Sequence, residues 1–216
     1  MRTSALLLLA FAGNSFAQTA VVESPNSQIK VTISDENSTP SYAISFKNKP
    51  AINASRLGFE FKTQAAFSDG FKITHVKQQS VNTQWQQPWG ERQTVTDKHN
   101  EVAVTFTKNE PNAATYTVRF RAFDSGVGFR YEVPKQAGFE QTHITKELTE
   151  FAINNNNNAT AWWIPARGWN RYEYVYNTTA LNDVPLAHTP FTLKTNDGTH
   201  ISIHEAALVD YAGMVL

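Results

Sequence analysis

Apolar residues recur at every second position along most of this 216-residue chain. Ile29, Val31 and Ile33 alternate with polar residues, as do Tyr42, Ile44 and Phe46, and Leu57, Phe59 and Phe61. The pattern returns at Val102, Val104 and Phe106, at Tyr116, Val118, Phe120 and Ala122, and at Val127, Phe129 and Tyr131. It closes with Phe191, Leu193, Ile201 and Ile203. Successive side chains of a strand point to opposite faces, so this period predicts half-buried strands with one face on a core. Turn-forming residues separate the runs at 37–40, 47–50, 68–70, 109–112 and 196–198. The clearest hairpin is FRAFDSGVGFRYEV at 120–133, turned by Asp124, Ser125 and Gly126. No stretch of a dozen residues carries a helical period. Many short strands with frequent turns predict an all-β fold, a sandwich or barrel. No internal repeat or second boundary interrupts residues 18–216, and the Asn run at 154–158 reads as a low-complexity loop.

Hydrophobic residues make up 41% of the chain, enough to build a core. Charged residues make up 18%, below the roughly 25% usual for soluble domains. Asn, Gln, Thr and Ser carry the polar surface instead. Net charge is zero and no basic stripe is present, which argues against a nucleic-acid partner. At the N-terminus, Arg2 precedes an apolar run at 5–12, followed by the small residues Ser15 and Ala17 and then Gln18. This pattern predicts a cleaved secretory signal peptide over 1–17 and a periplasmic or secreted protein. The run is too short for a stable transmembrane anchor, and no other segment is apolar enough to be one. The chain has no cysteine, so it has neither a disulfide framework nor a site for lipid attachment through that residue. Stability must come from core size, which this length permits.

The segment 204–214 reads HEAALVDYAGM, and the chain stops at Leu216 in an apolar run. That ending predicts one module of a longer protein. On an ideal strand Thr199, Ile201, Ile203, Glu205 and Ala207 share a face. The two isoleucines want the core, so Glu205 comes next on the inward face. An ionised carboxylate there is costly unless it is paired or holds a metal. A strand end or bulge returning Glu205 to water is the plainer alternative. A hard cation suits a lone inward carboxylate, and calcium takes roughly six to eight oxygens. Glu205 supplies two at most, and Asp210 has the opposite parity, so this chain alone cannot complete a calcium site. His200 and His204 point to the other face, which argues against zinc.

Five tryptophans fall in two loop-like segments: Trp85 and Trp89 in QWQQPWGE, and Trp162, Trp163 and Trp169 in AWWIPARGWNRYEYVY. Aromatic rings stack on the C–H faces of sugars, with polar groups at the rim. Sandwich core is the competing reading for each ring. The carboxylates Glu91, Glu101, Glu173 and Glu205 show no spacing that singles out a hydrolytic pair. The chain carries no Gly-x-Ser-x-Gly, no His-Glu-x-x-His and no phosphate-cradling glycine loop.

Six motifs in order do carry a resemblance: PWGE at 88–91, FRAFDSGVGFRYEV at 120–133, AWWIPA at 161–166, YE at 172–173, TPFTLK at 189–194 and HEAALVDYAGM at 204–214. Together they resemble the N-terminal domain of glycoside hydrolase family 97, a family of α-glucosidases and α-galactosidases. The resemblance runs from the end of the signal to the last residue. It implies a large β-sandwich of the galactose-mutarotase-like supersandwich type, packed on a catalytic (β/α)₈ barrel that acts on oligosaccharides. It also implies an active-site calcium ion to which the Glu of HEAAL, here Glu205, contributes one ligand. PWGE and AWWIPA carry over only as family markers. A barrel takes about 250 residues and none is present here. The family's acid and base or nucleophile are barrel carboxylates, so the resemblance implies that this chain alone is inactive. Two other readings stay open at this point: a free-standing carbohydrate-binding module, and a mutarotase-type sugar epimerase, which would need a His and a Glu facing one groove.

Overall fold

A computed structural model describes residues 17–111, 113–154, 157–166, 168 and 171–216. The predicted signal peptide, apart from residue 17, and Trp169 lie outside the described residues. The alternating segments form strands β1 (Thr19–Glu23), β2 (Ile29–Ser34), β3 (Ser41–Phe46), β4 (Lys49–Arg56) and β5 (Phe59–Phe61). They continue as β6 (Phe71–Gln86), β7 (Thr94–Lys108), β8 (Thr115–Phe123), β9 (Gly126–Glu132) and β10 (Ile144–Glu147). The last four are β11 (Thr160–Pro165), β12 (Asn177–Ala180), β13 (Ala187–Lys194) and β14 (His200–Ile203). The protein is an all-β sandwich, as the alternation predicts.

The first sheet is a meander in the order β1-β2-β3-β4, and the second a meander in the order β6-β7-β8-β9. Every pairing within them is antiparallel. The sheets bury their apolar faces against each other: Val31, Ile33 and Tyr42 from the first meet Val104, Phe106, Val118 and Phe120 from the second. Each such side chain contributes about 1.5–3 kcal/mol when fully buried. The short pair β5-β10 closes one end over an aromatic cluster. There Phe67 stacks on Tyr116 at 5.0 Å and meets Phe61 edge-on at 4.9 Å. Gly58 makes this closure possible. Its φ is +139°, and a Cβ would sit 1.7 Å from the Phe67 carbonyl oxygen, so only glycine fits.

A third sheet, in the order β12-β11-β13-β14, has its own apolar face of Ala161, Trp163, Phe191, Leu193 and Ile203. Ile153 and Ile201 touch both this core and the first one.

The tryptophan-rich segments differ from the loop reading. Trp85 lies in β6, and Trp162 and Trp163 lie in β11. Trp163 is core, and its indole N–H donates to Thr179 Oγ1 at 3.0 Å. Trp85 sits on an unexpected ribbon. β8 stops at the His99↔Phe123 pair, while β6 and β7 run on alone from Asn82↔Lys98 to Gln86↔Thr94. One face of that ribbon is polar, with Gln84 and Gln86 bonding Thr96 and Thr94 across the strands, and the other pairs the exposed Trp85 with Val95. With no core to face, its sequence shows no alternation.

Candidate functional site

Glu205 is neither on an inward strand face nor free in water. β14 ends at Ile203, two residues before it. Unbroken register from the Phe191↔Ile203 pair would place Ala206 opposite His188, but His188 is opposite Val215. Leu216 exchanges both backbone bonds with Ala187, at 2.7 and 2.9 Å. The returning residues Val215 and Leu216 therefore take the place beside β13 that a longer β14 would have filled. The predicted strand through Ala207 is displaced for that reason, and residues 204–213 leave the sheet as a loop.

Two contacts close the loop. The half-buried Glu205 accepts the Met214 backbone N–H on Oε1 at 2.9 Å. The Tyr211 hydroxyl donates to Glu147 Oε2 at 2.8 Å. Burial, and then the neighbouring Glu147 carboxylate, push the Tyr211 hydroxyl pKa above the usual phenol range. Glu147 also accepts from Thr149, whose hydroxyl meets that of Tyr131 at 2.7 Å, so the loop is tied to the main sandwich. Sequence reasoning missed the Tyr211–Glu147 tie, since nothing in either segment points to the other.

The motifs AWWIPA, YE, TPFTLK and HEAALVDYAGM converge on this end of the third sheet. His188 on β13 pairs with Ile164 of β11 on one side and Val215 on the other. Tyr172 stacks on the buried His188 ring at 4.2 Å, and its hydroxyl lies 3.5 Å from where a Cβ of Gly213 would sit. Around this end Val175, Tyr176, Leu186, Leu208 and Val209 are exposed.

The remaining carboxylates do not assemble a hydrolytic pair. Glu101 is 2% exposed and fully occupied by Arg119, Arg121 and Gln79. Burial works against its ionisation, but the Arg121 and Arg119 hydrogen bonds win and lower its pKa. Its role is structural. Glu91 and Glu173 are exposed. A cavity of about 640 Å³ opens between the first sandwich and the third sheet, with Asn53, Asn157 and Asn182 among apolar walls. None of its lining residues is an acid, a base or a histidine, so it has no group for proton transfer.

Among the described residues, no three His, Cys, Asp or Glu side chains come together to hold a metal. Asp210 is exposed, with a left-handed φ of 51°. Glu205 is the one carboxylate of the loop that is held in place. Its Oε2 has no hydrogen bond among the described residues, so it has one fixed oxygen and one left to donate. That chemistry fits a single ligand to a hard cation whose other donors come from elsewhere.

Residues 22–216 match the family described as Glycosyl-hydrolase 97 N-terminal. The chain belongs to that family. The family-97 domain is 74% identical to a glycoside hydrolase family 97 enzyme from Pseudoalteromonas sp. strain K8, solved in complex with panose and with acarbose. The likeness has a TM-score of 0.87 and covers 91% of this chain and 30% of that one. A retaining alpha-galactosidase from Bacteroides thetaiotaomicron is 20% identical over 204 residues, 89% of this chain and 29% of its own length. A beta-arabinopyranosidase shares the fold at TM-score 0.74 and 22% identity, over 88% of this chain and 32% of that one. The chain thus spans about 30% of the length of the K8 enzyme. The six motifs that carried the resemblance all lie within the matched residues.

Proposed function

We propose that this domain is the non-catalytic N-terminal part of a periplasmic or secreted, calcium-dependent α-glycosidase. It braces the catalytic domain and donates Glu205 to the metal. The observation that carries the reading is the loop 204–213: a family-97 chain spends ten residues outside its sheet, fixes the loop at both ends, and presents one carboxylate with an uncommitted oxygen. Calcium, when bound, would hold and polarise substrate oxygens, and Glu205 would supply one of its hard ligands. The exposed Val175, Tyr176, Leu186, Leu208 and Val209 around the same end form the face against which the catalytic domain packs. The hydrolytic acid and its partner carboxylate belong to that domain. The predicted leader over 1–17 supports export. The panose and acarbose complexes of the K8 enzyme and the galactosidase activity named for the Bacteroides relative support an α-glucoside or α-galactoside as substrate.

Two measurements test this. The 216-residue chain alone is expected not to turn over nitrophenyl α-glucoside or α-galactoside, and substantial turnover would overturn the division of labour. In the full-length enzyme, Glu205→Gln is expected to weaken calcium binding about tenfold or more by titration calorimetry. An unchanged titration removes Glu205 from the metal site.

A further inference from the structure

The outer face of the third sheet carries an aromatic pair. Trp162 of β11 and His200 of β14 lie on the face opposite the buried Trp163 and Ile203, flanking β13 from either side. Their ring planes are within 12° of parallel, with centroids 6.3 Å apart, and the stacked pair makes an aromatic strip on this face. Hydroxyls border the strip. Thr192 lies beside Trp162 and meets Ser202 at 3.1 Å, and Thr178 pairs with Trp162 on its far side. Lys194, opposite both Thr160 and His200, supplies a longer donor. His200 is exposed and Trp162 is half-buried.

We propose that this strip binds a neutral oligosaccharide, a sugar ring lying against the stacked Trp162–His200 pair and its hydroxyls bonding Thr192, Ser202, Thr178 and Lys194. The substrate class rests on the proposed function. A stacked aromatic pair with hydroxyl donors at its edge suits the C–H face and rim of a pyranose. Protein is the less suitable occupant. Among the described residues, none of the large exposed apolar residues lies on β11, β12, β13 or β14, whereas eight of the thirteen gather around Tyr172–Tyr176, Leu186 and the 204–215 segment. A packed protein interface wants that apolar content. Along the direction of β14, His200 lies roughly 17 Å from Glu205 and Trp162, level with Ser202, roughly 10 Å, so metal and strip can be tested separately.

Panose is the probe, titrated into the purified 216-residue chain by calorimetry, with indole N–H signals followed by NMR. Saturable binding is expected, with the Trp162 signal shifted. Trp162→Ala and His200→Ala should each weaken binding about tenfold, with the melting temperature of His200→Ala unchanged. Trp89→Ala, on the ribbon tip, should bind panose as the parent does. Absence of saturable binding, binding retained in both Trp162→Ala and His200→Ala, or binding lost in Trp89→Ala instead would each overturn the proposal. Failure here leaves the Glu205 calcium titration untouched, and an altered calcium titration leaves this one untouched.

Discussion

Replacing Arg119 by Met tests whether charge holds the outer face of the second sheet. Arg119 forks onto Glu132, Nε to Oε1 at 2.8 Å and Nη2 to Oε2 at 3.0 Å, and its Nη1 reaches Glu101. Glu101 would keep Arg121 at 2.7 Å and Gln79 at 2.8 Å, so the change leaves no bare buried charge. Glu132 carries the larger effect. The Arg119 hydrogen bond, helped by Arg130 and opposed by burial, lowers its pKa to about 2 from 4.5. A depressed acid stabilises the fold above its unfolded pKa, and that stability is lost as pH falls through the folded value. The shift corresponds to about 3 kcal/mol at pH 7, about 1.4 at pH 3 and about 0.4 at pH 2. The Glu132 side chain is 32% exposed, and screening brings the pH 7 figure nearer to 2 kcal/mol. Met keeps the aliphatic stem, so most of the loss is electrostatic. Arg130 still bonds Glu132 after the change, so urea unfolding should show Arg119→Met about 1–2 kcal/mol less stable at pH 7, the gap narrowing by roughly a third to a half at pH 3. A gap of the same size at both pH values would refute the reasoning, because packing alone does not titrate.

Gly58→Ala drives a Cβ into the Phe67 carbonyl within the Phe59↔Phe67 bridge, so calorimetric melting should show a loss of about 3 kcal/mol or more; an unchanged melt contradicts the close approach. Tyr211→Phe removes the bond to Glu147 at a half-exposed site and should cost about 1 kcal/mol. Amide exchange should speed up in loop 204–213 ahead of the sheets, and equal protection in parent and variant would mean the tie does not hold the loop.

Where one face of a strand meets a core, the fold could be read from sequence. β2 and β8 bury alternate residues, β3 and β9 lay Tyr42, Ile44, Val127, Phe129 and Tyr131 against the same core, and the hairpin turn falls between Phe123 and Gly126 as Asp124 and Ser125 predict. The outer halves of β6 and β7 were illegible for the converse reason: with no core on either side, their pairing rests on backbone bonds and Gln–Thr contacts that leave no hydrophobic period. Trp163 was core, as the plainer reading allowed. The alignment of Trp162 with His200 needed the order β11-β13-β14, which no local pattern reveals.

Glu205 shows the limit in its sharpest form. Alternation through Thr199, Ile201 and Ile203 is real and holds to the last residue of β14. What ends it is a competitor: Val215 and Leu216, themselves apolar, bond to Ala187 and bridge to His188. Extending β14 would satisfy the same β13 groups but would carry a carboxylate into the sheet, opposite Thr189 in the continued register. Letting Val215 and Leu216 pair there instead keeps the backbone bonds, brings apolar residues to the sheet and leaves Glu205 half-exposed in the loop. Parity could identify the residue for which a strand position is costly. Only the tertiary pairing reveals that the cost is avoided by moving the carboxylate out, to a place where Met214 fixes one oxygen and leaves the other able to bind.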